Sequence, residues 1–402
     1  MARILTINGG SSSIRFALFE MNGIRERLLD GKVERIGTPD ATLTFQRAGS
    51  VPREVKIDAD NPESAVQALG AQLEQERPNT AFQGIGHRVV HGFRHMDPER
   101  VTSQLLAELK GLESYDPEHL PRELRLIEAL QQRYPQAPQA VCFDTAFHRN
   151  MPPVARRLPL PRKYFDRGVQ RYGFHGLSYT FLLEELERLG DPAATRGRVI
   201  LAHLGGGASM AAVRDGQCID TSMAFTPTAG LAMSTRSGDL DPGVLTYLLR
   251  AESLNPTQLQ TLVNHQSGLL GVSDSSGDVR ELLAREAGDV RAREALDLFC
   301  YQAKKWIGSF SAALGGLDTL VFAGGIGENS APIRMRICAG LEYLGVDIDH
   351  SRNEKHAAVI SAPGAAVTLR VIRTDEESVI ASATAKVLGL NPSQEIKHDA
   401  NC

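Results

Sequence analysis

The 402-residue sequence predicts an α/β protein of two domains built from one duplicated unit, and three observations carry that reading. The strand–turn–strand pattern RILTINGGSSSIRFALFE at Arg3–Glu20 returns as VILAHLGGGASMAAVRD at Val199–Asp215, with Gly9 aligned to Gly205 and Ser13 to Ser209 without a gap. Apolar strand-like runs alternate with helical stretches through both halves, as layered α/β architectures require. The chain is also longer than one hydrophobic core commonly serves.

In chain order, ARILTI, IRFALFE and TLTFQ read as strands, followed by a helix at ESAVQALGAQLEQE. The strand GIGHRVV precedes the helix PRELRLIEALQQRY, where Leu124, Ile127 and Leu130 recur at helical spacing, and then the strand AVCFDTAF. The Pro-rich, basic segment MPPVARRLPLPRKYFDRG reads as a crossing between domains. The second half runs through strands RVILAHL and SMAAVRDG to a long helix ending ALDLFCYQAKKWIGSFSAAL, then the strand LDTLVFAGG. A helix near APIRMRICAGLEYLG, the strand TLRVIRT and the helix ESVIASATAKVLG follow, before a polar tail, SQEIKHDANC, expected to fray.

Composition excludes several function classes. With 42% apolar and 23% charged residues the chain can bury large cores, and a net charge of -4 gives no reason to expect nucleic acid or an anionic membrane as partner. Five scattered cysteines without CxxC spacing argue against a disulfide framework or zinc site and for a reducing compartment. No leader pattern and no long apolar run stand out, so the expectation is a soluble, cytoplasmic protein.

Three Gly-rich turns follow predicted strands: Asn8–Ser13, Leu204–Ser209 and Gly324–Asn329. A single such cluster is more often a plain hairpin, but three at strand ends, two of them duplicated, point to backbone N–H groups approaching nucleotide phosphates. None is a Walker A loop, and the third is only loosely like a dinucleotide turn.

The motifs INGGSSS, GHRVVHG, CFDTAFH, YGFHG, HLGGGAS, TSMAFTP, TRSGDLDPG, FAGGIGENS and TDEE occur in the order and spacing of acetate kinases, from Ile4 to about Leu388, and the chain resembles that family throughout. The resemblance implies the duplicated ribonuclease-H-like fold of the actin–Hsp70–sugar-kinase superfamily, with two domains around a nucleotide cleft. Domain I would be 1–146 plus 377–402, and domain II, 147–376, would bind nucleotide and form a homodimer. The implied reaction is reversible, Mg²⁺-dependent phosphorylation of acetate by ATP to acetyl phosphate, with Mn²⁺ as an alternative metal.

Attack of a carboxylate on a γ-phosphoryl group brings anions together, so the site must supply positive charge and alignment. Arg88 and Arg236 are the natural clamps, because guanidinium forks match phosphate and carboxylate oxygens. By resemblance His175 bonds the transferring phosphoryl oxygens, while Asp144, Glu376 and Asn8 organise Mg²⁺ and the nucleophile. A carboxylate substrate is already ionised at neutral pH, so Asp144 reads as a positioning and metal group rather than a general base. Val90, His119, Phe174 and Pro227, with Arg88, match the acyl site. Arg15, His203, Leu204, Gly205, Gly206 and Gly207 match the phosphate site; Asp278, Val279, Arg280, Gly325, Ile326, Gly327, Glu328 and Asn329 match the adenosine site.

The chain departs from the family pattern at several of these positions. Arg15 stands for Lys, Gly206 for Asn, Leu177 and Tyr179 for Thr and His, and Val279 for Phe. In YDPEHLP, Glu118 replaces a Leu that helps wall the acyl pocket, which makes it the position to watch for the choice among acetate, propionate and butyrate. A propionate or butyrate kinase is therefore the neighbouring reading. A non-catalytic nucleotide-binding paralogue is a more distant one, opposed by retention of Asn8, Arg88, Asp144, His175, Arg236 and Glu376.

Overall fold

The computed structural model describes residues 2–10, 12–22, 25–76 and 82–390; the polar tail from Ser393 lies outside them. The chain divides into two compact units, one of residues up to Ala146 with the C-terminal segment from Asp375, the other Phe147–Thr374.

The first unit is built on one sheet. Its strands are β1 (Ala2–Gly9), β2 (Ile14–Met21), β3 (Arg25–Glu34), β4 (Thr42–Arg47), β5 (Arg53–Lys56), β6 (Gly84–Val89), β7 (Glu99–Arg100) and β8 (Gln139–Phe143), ordered β5-β4-β3-β2-β1-β6-β8-β7. Strands β1 to β5 form an antiparallel meander, whereas β1, β6 and β8 run parallel. Parallel pairing sets the carboxyl ends of those three strands side by side, the edge at which open α/β sheets bind ligands. Both faces are covered, so the strands are apolar on both. Leu5, Ile7, Phe16 and Leu18 pack with helices Pro62–Glu76 and Leu120–Arg133. Ile4, Ala17 and Phe19 pack with Ala381 and Ala385 of helix Glu376–Val387.

The second unit carries β9 (Arg198–Leu204), β10 (Ala208–Arg214), β11 (Gln217–Thr221), β12 (Thr319–Ala323) and β13 (Thr368–Val371), ordered β11-β10-β9-β12-β13. Three antiparallel strands continue into two parallel ones, as in β3-β2-β1-β6-β8. Each unit thus repeats the ribonuclease-H-like plan. Tyr179, Leu182 and Leu186 of helix Gly176–Arg188 cover one face, against Val199, Leu201 and Val213. Helix Val290–Leu314 packs against β9 and β10 with Phe299, Ile307 and Phe310 buried.

The repeat is not residue-for-residue. Gly9 pairs with Ile14 across a four-residue turn, whereas Leu204 pairs with Ala208 across three glycines. Ser13 therefore lies in its turn, but Ser209 lies in β10 opposite His203, so the gap-free match of the two serines does not survive. Three consecutive residues without Cβ close the tighter hairpin. Strands β3 and β11 were not anticipated; the charged sequence RERLLDGKVE masks Leu29 and Val33, which β2 and β4 bury. The third Gly-rich segment is a short helix, Gly324–Asn329, rather than a loop. The helix expected near APIRMRICAGLEYLG splits into Ala331–Cys338 and a turn at Glu342–Leu344, around Gly340 at φ +84°. No helix among the described residues is long and apolar enough to cross a membrane.

Helix Glu376–Val387 lies so close on β6 that a Cβ at Gly86 would meet Thr384 Oγ1 at 2.1 Å and Ile380 Cγ2 at 2.7 Å. Gly86→Ala should therefore cost ~1–3 kcal/mol by overpacking. Urea unfolding of the two proteins measures the difference.

Candidate active site

In the first unit, functional groups gather at the carboxyl ends of β1, β6 and β8. Arg88, one residue from the end of β6, donates from Nε and Nη2 to Asp144 Oδ2 at 3.0 and 2.6 Å. Asp144 is fully buried just beyond β8, and its own N–H donates to Val89 O at 3.0 Å. Arg88 Nη1 also reaches Asn8 Oδ1 and Gly9 O, both at 3.4 Å. Asn8 Nδ2 donates to Glu376 Oε2 at 2.8 Å, where the C-terminal helix begins. Burial opposes the charge on Arg88, but Asp144 and Glu376 outweigh it and raise the guanidinium pKa further. Burial also raises the Glu376 pKa, against the pull of Arg88.

This cluster suits a hard cation bound chiefly through phosphate. Asp144 Oδ1 is buried with no hydrogen-bond partner among the described residues, while Oδ2 serves Arg88. No group of three or more His, Cys, Asp or Glu among the described residues could hold a metal alone. Carboxylates such as Asp144 and Glu376 can complete the shell of Mg²⁺ already carried by a nucleotide.

Val90 and His119 border the same region. Val90 is buried, and its N–H donates to both carboxylate oxygens of Glu123, at 3.2 and 3.0 Å. His119 Nδ1 lies 2.8 Å from Asp116 Oδ1 at the start of helix Leu120–Arg133. Glu118 is half-buried, and Arg15 is exposed on β2 opposite Asn8.

In the second unit the Gly205–Gly207 turn is the focus. Gly205 N–H donates to Gly207 O at 3.0 Å. A Cβ at Gly207 would stand 3.3 Å from His175 Nε2 and 3.5 Å from Arg236 Nη1, so both side chains converge on this turn. His175 sits at φ +59° immediately before helix Gly176–Arg188, an uncommon backbone state that recurs at functional sites. Its ring stacks on His203 with centroids 4.3 Å apart. Arg236 Nη1 donates to Pro227 O at 3.1 Å, and Phe174 is buried with its carbonyl 3.0 Å from His148 Nε2.

A cavity of about 730 Å³ adjoins the turn, lined by Gly205, Gly206, Asp278, Val279, Arg280, Gly325, Ile326 and Asn329. A Cβ at Gly325 would meet nothing within 4 Å, so flat backbone faces open space large enough for a nucleoside. Asp278 caps helix Val279–Arg285 and pairs with Arg280, which is itself exposed. Leu204 is fully buried and can present only backbone. Gly327 is packed against Phe322, and Glu328 Oε1 turns back to accept from Gly324 N–H at 2.9 Å and Thr374 N–H at 3.2 Å. These two residues secure the helix that carries Gly325.

Sequence reasoning missed Ser234 and Gly277 of the cavity wall, and also Glu123 and Asp116. Glu123 had a visible signal: it shares the core-facing stripe with Leu120, Leu124 and Ile127, where a carboxylate needs a buried purpose.

A buried guanidinium–carboxylate cluster at a parallel-strand edge, and a glycine turn flanked by imidazoles and a guanidinium, define a kinase of the duplicated ribonuclease-H-like class. The chain belongs to the acetokinase family, whose sequence model matches residues 3–382. It is 41% identical to the acetate kinase of Bacillus cytotoxicus, covering 95% of this chain and 98% of that protein. It is equally 41% identical to the propionate kinase of Citrobacter koseri, covering 96% of each. The crystal structure of Porphyromonas gingivalis acetate kinase superposes with a TM-score of 0.86 at 36% identity, covering 96% of this chain and all of that one.

Burial, opposed by Arg88, pushes the Glu123 pKa up to about 8 from 4.5. A carboxyl group whose folded pKa is raised supports folding fully below its unfolded pKa, and that support is lost as pH climbs through the folded one. Stability should therefore fall between about pH 5 and about pH 8, and Glu123→Gln, which keeps an acceptor for Val90 N–H, should flatten part of that fall. Urea midpoints across this range test it; parallel curves for both proteins would show that Glu123 does not titrate there.

Proposed function

We propose that this protein catalyses reversible transfer of the γ-phosphoryl group of ATP to acetate, forming acetyl phosphate and ADP by direct in-line displacement. The observation that carries this reading is the convergence of His175 Nε2 and Arg236 Nη1 on Gly207, at the mouth of a cavity sized for a nucleoside. Two donors aimed at one glycine turn suit the equatorial oxygens of a phosphoryl group in transfer, where charge is spread and water competes poorly. The Gly205–Gly207 backbone would cradle the phosphates, and Gly325 and Ile326 would face the adenine.

Arg88, held rigid by Asp144, would orient the carboxylate nucleophile beside Val90 and His119. Because acetate is ionised at neutral pH, no base is required; the task is alignment of two anions. Asp144, Glu376 and Asn8 would hold Mg²⁺, or Mn²⁺, which would supply positive charge to phosphate oxygens. The family resemblance further supports a cytoplasmic homodimer, which equilibrium sedimentation addresses.

A hydroxylamine trap with Mg-ATP and acetate, propionate or butyrate tests the reading. Acetohydroxamate should form fastest; a faster reaction with a longer acid would move the substrate within the family, and no product with any acid would refute the activity. Arg236→Ala should lower kcat by more than ~10²-fold, since a preorganised donor to the transition state is removed. An undiminished kcat would take Arg236 out of the mechanism.

A further inference from the structure

Helix Gly176–Arg188 holds both histidines near the glycine turn through two adjacent residues. Ser178 Oγ lies 2.8 Å from His203 Nδ1 and 2.8 Å from Thr374 Oγ1. Tyr179 OH lies 2.5 Å from Ser209 Oγ, which in turn lies 2.8 Å from His175 Nδ1. Both imidazoles are thus engaged at Nδ1. Both turn Nε2 toward the turn: a Cβ at Gly205 would stand 3.8 Å from His203 Nε2, and one at Gly207 would stand 3.3 Å from His175 Nε2. Tyr179 and Ser209 are fully buried, so water does not compete for this link.

From this geometry we infer that Tyr179, acting through Ser209, is a positioning residue that sets the tautomer of His175, placing the ring proton on Nε2. The inference rests on the phosphoryl-transfer role of His175 proposed above. A phenol is a stronger donor than an aliphatic hydroxyl, so the favoured direction runs from Tyr179 O–H to Ser209 Oγ and from Ser209 O–H to His175 Nδ1. Nδ1 then accepts, and Nε2–H is left to donate toward the glycine turn. The opposite arrangement, Nδ1–H donating to Ser209, would leave a lone pair on Nε2 facing phosphate oxygens. That arrangement repels the group the histidine is there to bind. A hydroxyl pair locked in the core achieves the selection without adding charge, whereas a carboxylate partner would raise the proton affinity of the ring and bury another anion near phosphate.

The test is nitrogen-15 NMR of histidine-labelled full-length protein, with the His175 ring assigned by its loss in His175→Gln, joined to steady-state kinetics of the same proteins. The wild-type ring should show the Nε2–H form, and Tyr179→Phe should shift it toward a mixture of tautomers. In the same variant kcat should fall by roughly 10- to 100-fold, the scale on which outer partners and wrong tautomers cost activity, with both KM values within about twofold. Ser209→Ala breaks the link from its other end and should give the same ring signature. The double variant should be no slower than Ser209→Ala alone, because the effects share one path. An unchanged His175 spectrum in Tyr179→Phe and Ser209→Ala overturns the inference, whatever their kcat. A shifted spectrum together with wild-type kcat in His175→Gln would uphold the link and refute the catalytic role of His175.

Discussion

The pairing of Arg88 with Asp144 is the interaction on which the polar cluster of the first unit depends. It joins the carboxyl ends of two parallel strands, and it sets a part-buried guanidinium against a fully buried carboxylate. Removing one partner of such a pair leaves an uncompensated charge in the interior, typically at ~3–5 kcal/mol. Asn8 and Gly9 O engage the remaining guanidinium nitrogen and Val89 O the Asp144 backbone, while Asp144 Oδ1 has no partner among the described residues. A charge so held keeps its position without reorganisation, the condition under which electrostatic assistance is strongest.

The second unit solves a different problem with the same sheet. Its shortened hairpin replaces side chains by three glycines, and the space released is occupied by imidazole and guanidinium edges from elsewhere in the unit. The strained backbone at His175 and the hydroxyl link behind it belong to one arrangement, in which helix Gly176–Arg188 sets where the ring lies and Ser209 sets how it is bonded. Duplication supplied the scaffold twice. The two turns differ in length by a single residue, and the strand register shifts with it.

Much of this was legible locally. Alternating apolar strands and glycine turns identified the strands β1, β2, β6, β8, β9, β10, β12 and β13, because buried strands demand particular residue types in short windows, and the rare motif combination pointed to Asn8, Arg88, Asp144, His175, Arg236 and Gly205–Gly207 as candidates. Other elements were hidden. β3 is a charged stretch made a strand by its neighbours. The segment Gly324–Asn329 is a helix despite its glycines, because Glu328 closes back on its first N–H and buried Arg334 binds the Gly327 and Glu328 carbonyls.

The sequence by itself determined the α/β class, the duplication, the family and most of the charged and glycine positions, since each is written in contiguous residues. Only the tertiary structure decided that Glu376, hundreds of residues from Asn8 in the chain, bonds to it, that Glu123 closes on Val90 N–H, and that Tyr179 reaches His175 through Ser209. Those pairings exist because packing excludes water and so favours partners for buried polar groups, whatever their distance along the chain.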